Sequence, residues 1–220
     1  NDVEKTIIKT DRQKTNFALL FFDLDNFKRI NDSMGHLVGD QVLKITADRL
    51  TQILRKSDTV YRMGGDEFVM IQEDVANPKS AAQLAEKIIE AVSVDIEING
   101  TVIAVSSSVG ICIYPTDALN LTDALKQADF AMYLAKDEGG SCYQFYTPEV
   151  HEKVVEKLRI DNNIRKDLHH QQRGFSIAYQ PQINIKTGRI VGVEALVRWT
   201  DTALGEINTE TFISICEESN

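Results

Sequence analysis

Long apolar runs, cysteine and positive charge are all scarce in this 220-residue chain. No apolar stretch approaches the ~20 residues of a membrane-spanning helix, so neither a helical span nor membrane contact is expected. Cys112, Cys142 and Cys216 are odd in number and lack metal-ligand spacing. They exclude a disulfide framework and a zinc site, and fit reduced thiols in a cytoplasmic setting. Lys and Arg number 24 against 33 Asp and Glu, for a net charge of −9. That balance argues against a nucleic-acid groove. It also opposes long-range steering of anionic nucleotides, so a nucleotide site would depend on local cations and a divalent metal. No signal segment is legible, and Asn1 stands where an initiator Met would, so a piece of a longer protein is expected. What remains is ordinary for a globular protein, with 43% hydrophobic and 26% charged residues. The length suits one substantial core and part of a second.

The most informative segment is Gly64-Gly65-Asp66-Glu67-Phe68. It joins the apolar-rich runs Thr59–Met63 and Phe68–Ile71, which reads as a β-hairpin with two acids at a glycine turn. Paired glycines permit positive φ and close approach of a bulky ligand. Carboxylates displayed there suit a hard metal ion carrying a nucleotide phosphate; a plain glycine turn is the alternative. A second acid cluster follows the apolar run Phe17–Phe22, short enough for a buried strand. Alternation puts Asp23 and Asp25 on one face, with Leu24 opposed. A carboxylate at a buried strand end needs compensation, which a cation shared with Asp66 would provide. Metal-assisted phosphoryl or nucleotidyl transfer follows from that pairing; the alternative is a solvated strand end.

Helices are expected after Gly39-Asp40, with Leu43, Ala47, Leu50 and Leu54 inward, and after Asn77-Pro78, with Leu84, Ile88 and Ala91 inward. A hairpin turns at Asn99-Gly100. A helix over 121–138 ends at Gly139, and a last strand covers 143–146. Strands and helices alternate with hairpins between, which favours an α/β (α+β) sandwich with a mainly antiparallel central sheet flanked by helices. From Thr147-Pro148 a charged helix runs to about Gln171, its sparse apolar positions (Val150, Val154, Leu158, Ile164, Leu168) suiting a connector; His169 and His170 read as solvated. The segment Phe175–Trp199 reads as a hairpin turning at Lys186-Thr187-Gly188. It carries Glu194, Leu196 and Arg198 on one face, fit for a metal and a phosphate or for a buried ion pair.

The ordered set DLDNFKRINDSMGHLVGD (23–40), RKSDTVYRMGGDEF (55–68), SSVGICIYP (107–115) and ADFAMYLAK (128–136) closely resembles the GGDEF-domain diguanylate cyclases. With YQP, TGRIVG and LVRW around Glu194-Ala195-Leu196, the last segment resembles the start of an EAL-domain cyclic di-GMP phosphodiesterase, a TIM-like barrel. A barrel needs about 250 residues, so no phosphodiesterase activity is expected here, and the hydrophobic faces of this segment should lack partners. The expected organisation is a GGDEF domain over 1–147, a linker helix over 148–171 and a truncated EAL start over 172–220. The resemblance implies the palm-like fold of nucleotide cyclases.

It also implies roles. Asp23, the Leu24 carbonyl and Asp66 would hold Mg²⁺, with Mn²⁺ as an alternative, and Glu67 would support them. Asp66 would also be the general base. Lys28 would offset charge on the transferring phosphate. Backbone amides at Asn26 and Phe27, at a helix start, would bind terminal phosphates, and Lys136 the γ-phosphate. Asn31, His36 and Asp40 would recognise guanine; a helix N-cap is the alternative for Asp40, a turn residue for His36. Arg55 and Asp58, assisted by Arg62, match a product-inhibition site for cyclic di-GMP. Two departures stand out: Gly140 replaces the family's usual arginine, and the family's motif before Asn16 is missing, with Arg12 in no matching context. The implied activity is condensation of two GTP into cyclic di-GMP and pyrophosphate by a homodimer, in bacterial second-messenger signalling. The alternative is a catalytically weak GTP-binding module that regulates an EAL phosphodiesterase in a longer protein, where an upstream sensor would carry any membrane anchor.

Overall fold

The run FALLFFDL becomes the middle strand of a sheet because both of its faces are apolar. In the computed structural model, which describes residues 16–169 and 174–218, β1 (Phe17–Leu24) is buried along its whole length. It lies between β3 (Glu67–Gln72) and β6 (Ser107–Tyr114), antiparallel to both. Completing the sheet are β2 (Thr59–Gly64) beside β3 and β7 (Tyr143–Phe145) parallel to β6, in the order β2-β3-β1-β6-β7. The mainly antiparallel sandwich expected from the sequence is the observed one.

Strand alternation sends β1 into two cores. Ala18, Leu20, Phe22 and Leu24 face α2 (His36–Ile53) and α3 (Pro78–Ser93), packing with Val42, Leu43, Leu50, Ala85 and Ile88. Phe17, Leu19 and Phe21 face α4 (Leu121–Asp137), packing with Ala124, Ala128 and Met132. Each of the larger side chains among these contributes roughly 1.5–3 kcal/mol by its burial. The fit of α4 on the sheet depends on Gly110, where a Cβ would stand 1.8 Å from the Ala128 carbonyl oxygen and 2.3 Å from the Met132 nitrogen. Asn77 caps α3 by accepting from the Ser80 N–H, with Pro78 at the first helical position. The hairpin of β4 (Ile96–Ile98) and β5 (Thr101–Ile103) turns at Asn99 and Gly100, both at positive φ.

Two expectations are corrected here. Helix α2 begins at His36, so Gly39 and Asp40 lie inside it and Asp40 is no N-cap. A separate short helix, α1 (Phe27–Met34), precedes it across Gly35, whose φ is 86°. Gly39 lets the two helices meet, since a Cβ there would collide with Asn31 Oδ1.

The chain divides into two compact units at Val154/Val155. Helix α5 (Pro148–His169) contributes Val150 and Val154 to a small core with Ala131 and Leu134 in the first unit. In the second, Ile160 and Ile164 pack with Trp199, Phe212 and Ile215. The connector is therefore more engaged than expected: Ile160 is buried, whereas Leu158 and Leu168 stay exposed. Strands β8 (Phe175–Ile183), β9 (Ile190–Asp201) and β10 (Gly205–Ile207) form an antiparallel sheet, followed by α6 (Thr209–Glu218). The expected lack of partners holds for Ile177, Tyr179, Ile190, Val191 and Val193, all exposed. It fails at the other end, where Trp199 is fully buried, stacks with Phe175 and donates to Asp167 at 2.9 Å. Arg12, His170 and Gln171 lie outside the described residues. Among the described residues no helix is long and apolar enough to cross a membrane.

Gly110→Ala should lower unfolding stability by ~3 kcal/mol or more, because backbone atoms of α4 cannot step aside as a side chain would. Chemical denaturation with an unchanged midpoint would show that α4 seats on the sheet without that glycine.

Candidate active site

Three acids approach one another at the carboxyl end of β1. Asp23 pairs with Glu67 across to β3 and with Ser108 across to β6. Beyond Glu67 the chain turns through Gly65 and Asp66; Gly65 takes φ 54°, a conformation that suits glycine. Arg62 Nε donates to the Gly65 carbonyl at 2.8 Å, bracing this turn. Asp66 is half-buried and Glu67 exposed. By parity Asp23 points to the α4 side, and Lys136, in the last turn of α4, forms an ion pair with Asp23 Oδ2. Burial raises the Asp23 pKa above the ordinary carboxylate value; Lys136 opposes this shift, and the charges of Asp66 and Asp25 add to it. The other oxygen, Asp23 Oδ1, is buried without a hydrogen-bond partner.

Asp25 keeps the expected side of the strand: its N–H donates to the Ser106 carbonyl at 2.9 Å in the β1–β6 register, and Ser108, the cross-strand partner of Asp23, lies within its reach. Its carboxylate is held by Ser106 Oγ at 2.6 Å, Ser108 Oγ at 2.7 Å and the Ser141 N–H at 3.2 Å. Sequence reasoning missed these partners. The alternating serines 106 and 108 at the head of an apolar strand were the available signal, since they share one face.

Asn26 precedes α1 in the left-handed conformation, with φ 58° and no side-chain cap. The first N–H groups of α1 are thus left for another acceptor. Lys28 is exposed on the same helix. A cavity of about 250 Å³ beside this helix start is lined by Asp25, Asn26, Ser106, Lys136, Gly139 and Gly140. Asn31, half-buried on α1, lies against Gly39 of α2. His36 and Asp40 are exposed four residues apart on α2, and so share a face.

Arg55 and Asp58 sit in the turn between α2 and β2. Arg55 is exposed, while Asp58 is buried, its Oδ1 accepting from Ser57 Oγ at 3.1 Å. The Asp58 N–H donates to the Arg55 carbonyl at 3.1 Å. Arg62 extends from the adjacent strand but is engaged with Gly65. In the second unit, Glu194 is exposed on β9 and Arg198 half-buried, donating to Thr209 Oγ1.

The residues fit a divalent metal. Asp23 Oδ1 is an orphaned buried oxygen, and its carboxylate already draws a cation. Among the described residues no three His, Cys, Asp or Glu side chains gather to hold an ion unaided. An Mg²⁺ held by the Asp23 carboxylate would complete its shell with water and substrate phosphates.

Residues 1–142 match the family described as "Diguanylate cyclase, GGDEF domain", and residues 161–220 match the EAL domain. The chain is 36% identical over 217 residues to the bifunctional diguanylate cyclase/cyclic di-GMP phosphodiesterase MucR of Pseudomonas aeruginosa, covering 99% of this chain and 31% of that protein. It is 35% identical over 217 residues to the cyclic di-GMP phosphodiesterase PdeR of Escherichia coli, covering 99% and 32%. The chain thus spans about a third of the length of these curated relatives. Among solved structures, an EAL/GGDEF domain protein from M. capsulatus aligns with a TM-score of 0.59 and 41% identity, over 62% of this chain and 88% of that one.

The raised Asp23 pKa fixes the sign of a pH effect. The fold favours protonated Asp23, so its penalty is absent below the unfolded pKa and grows as pH rises towards the folded one. Asp23→Asn without metal should therefore match wild type in acid and unfold at a higher temperature at neutral pH. A neutral-pH midpoint clearly below wild type would mean that the Lys136 pair outweighs the desolvation of Asp23.

Proposed function

The chain belongs to the GGDEF family of diguanylate cyclases, and from that membership we propose that residues 1–147 condense two GTP into cyclic di-GMP and pyrophosphate, joined by a linker at 148–171 to an EAL start at 172–220. The observation that carries this reading is the buried Asp23 carboxylate, with one oxygen unpartnered, at a strand end beside the Asp66 turn. In this reading Asp23, the Leu24 carbonyl and Asp66, supported by Glu67, hold Mg²⁺ or Mn²⁺, which when bound offsets phosphate charge and makes the attacking hydroxyl more acidic.

The chain's own residues do the rest. Asp66 accepts the proton of the 3′-hydroxyl. The freed oxygen forms a bond to the α-phosphorus of the facing GTP, while the bond to pyrophosphate breaks and its electron pair leaves with pyrophosphate. A second, reciprocal transfer closes the ring. Lys28 offsets charge on the transferring phosphate and Lys136 on the γ-phosphate. The N–H groups of Asn26 and Phe27 bind the terminal phosphates. Asn31, His36 and Asp40 read the guanine edge through donors and acceptors. One chain supplies one GTP half-site, so turnover requires two chains facing each other. Arg55 and Asp58, assisted by Arg62, bind cyclic di-GMP as an inhibitor. Glu194 and Arg198 belong to the EAL part, where they suit a metal and a phosphate.

A second reading is favoured by Gly140. Where related cyclases carry an arginine, this chain places a glycine beside the Asp25 carboxylate. A module that binds GTP without efficient turnover, and so tunes an EAL phosphodiesterase in the longer protein, fits that change and the phosphodiesterase activity in the relatives' names.

Concentrated protein incubated with GTP and Mg²⁺ should yield cyclic di-GMP on chromatography, and Asp66→Ala should reduce it by about a hundredfold or more. Undiminished product from that variant would remove Asp66 from the reaction. GTP binding without product in the wild type would select the regulatory reading. If the cyclase turns over, Arg55→Ala should keep progress curves linear as product accumulates; curvature equal to wild type would rule out product inhibition through Arg55.

A further inference from the structure

Asp25 lies two positions from Asp23, and its carboxylate is already engaged by two serine hydroxyls and one main-chain amide. Oδ2 accepts from Ser106 Oγ at 2.6 Å and from the Ser141 N–H at 3.2 Å, and Oδ1 accepts from Ser108 Oγ at 2.7 Å. Its own N–H donates to the Ser106 carbonyl at 2.9 Å. These donors come from two segments, the head of β6 and the loop after α4. All three are neutral, and hydrogen bonds to a charged acceptor are the stronger kind.

The loop after α4 is closed by its own backbone. The Glu138 N–H donates to the Leu134 carbonyl, Gly139 to Lys136 and Gly140 to Ala135, at 3.0, 3.1 and 3.1 Å. Gly139 and Gly140 take φ of 111° and 73°, conformations that favour glycine. At Gly140 a Cβ would stand 3.2 Å from Asp25 Oδ2, so the main chain is laid directly on the carboxylate. Asp25, Gly139, Gly140 and Lys136 all line the same cavity of about 250 Å³. The clamp therefore secures the end of α4 from which Lys136 projects.

We propose that Asp25 is a positioning residue for the terminal phosphates of the nucleotide, clamping residues 139–141 against β6 and so fixing Lys136 at the phosphate end of the cavity. This rests on the nucleotide-binding reading above. It assigns Asp25 to recognition of the triphosphate tail, through the loop, and to neither metal nor base.

Equilibrium binding of 3′-deoxy-GTP and 3′-deoxy-GMP with Mg²⁺ tests this, since both lack the nucleophilic hydroxyl and cannot turn over. Asp25→Ala should weaken the triphosphate about tenfold, the scale of one lost charge-assisted hydrogen bond, and leave the monophosphate within about twofold. The double variant Ser106→Ala/Ser108→Ala keeps the carboxylate and removes two donors. It should shift the ratio in the same direction, and it serves if Asp25→Ala fails to fold. Equal weakening of both nucleotides would reduce Asp25 to general stability and overturn the proposal. Tighter triphosphate binding by Asp25→Ala would also overturn it, leaving Asp25 as a repulsive charge. An unchanged ratio in variants of a wild type that prefers the triphosphate would sink the Asp25 assignment alone. A wild type without that preference would overturn both this inference and the nucleotide reading beneath it.

Discussion

Everything in the first unit follows from one constraint: β1 is buried on both faces and ends in an ionisable side chain. Removing a carboxylate from water disfavours its charged form, and Asp23 responds with a raised pKa and an ion pair to Lys136. That lysine comes from a helix far along the chain. Its position depends on α4 lying flat on β6, which in turn depends on the missing side chain at Gly110. A residue in the middle of a strand thus helps determine whether a cation reaches the end of the neighbouring one.

The acids in this corner are not equivalent. Asp23 is buried with one free oxygen, Asp66 is half-buried on a turn, Glu67 is exposed, and Asp25 is saturated by two hydroxyls and an amide. Environment separates residue types that look alike in sequence. Their shared excess of negative charge also explains why an anionic substrate would depend on a metal and on the few cations nearby. Lys136 stands between these demands, paired now with Asp23 and lining the cavity assigned to the phosphates.

The second unit shows the same physics on a smaller scale. Around Trp199, an aromatic cluster with Phe175 and Phe212 gathers Ile160, Ile164 and Ile215 into a core. Further along the same hairpin, Ile177, Tyr179, Val191 and Val193 are exposed. Apolar strands of this kind require a covering layer, because burial of apolar area is what stabilises a sheet face.

Local features were legible in the residues alone. The doubly apolar run at Phe17, the turns at Gly65-Asp66 and Asn99-Gly100, the Asn77-Pro78 helix start and the antiparallel sandwich all arise from steric and solvation preferences acting over a few residues. The motif order also carried the family and the candidate site residues. Other features needed the fold. Gly39-Asp40 looked like a helix entrance, but the junction at Gly35 moved the start to His36, because α1 packs its Asn31 against Gly39. Leu158 was expected among the apolar positions of its helix and Ile160 was not, yet Ile160 packs with Trp199 and Leu158 stays exposed. Alternation placed Asp25 on the side of Asp23, but not its partners: the serines that claim it lie 81 and 83 residues away. Lys136 reaches Asp23 across 113 residues. Sequence patterning determined which elements form and which faces are apolar, since those depend on neighbours along the chain; tertiary structure alone decided which charges and hydroxyls meet, because such pairings depend on how the finished sheet and helices bring distant residues within hydrogen-bond range.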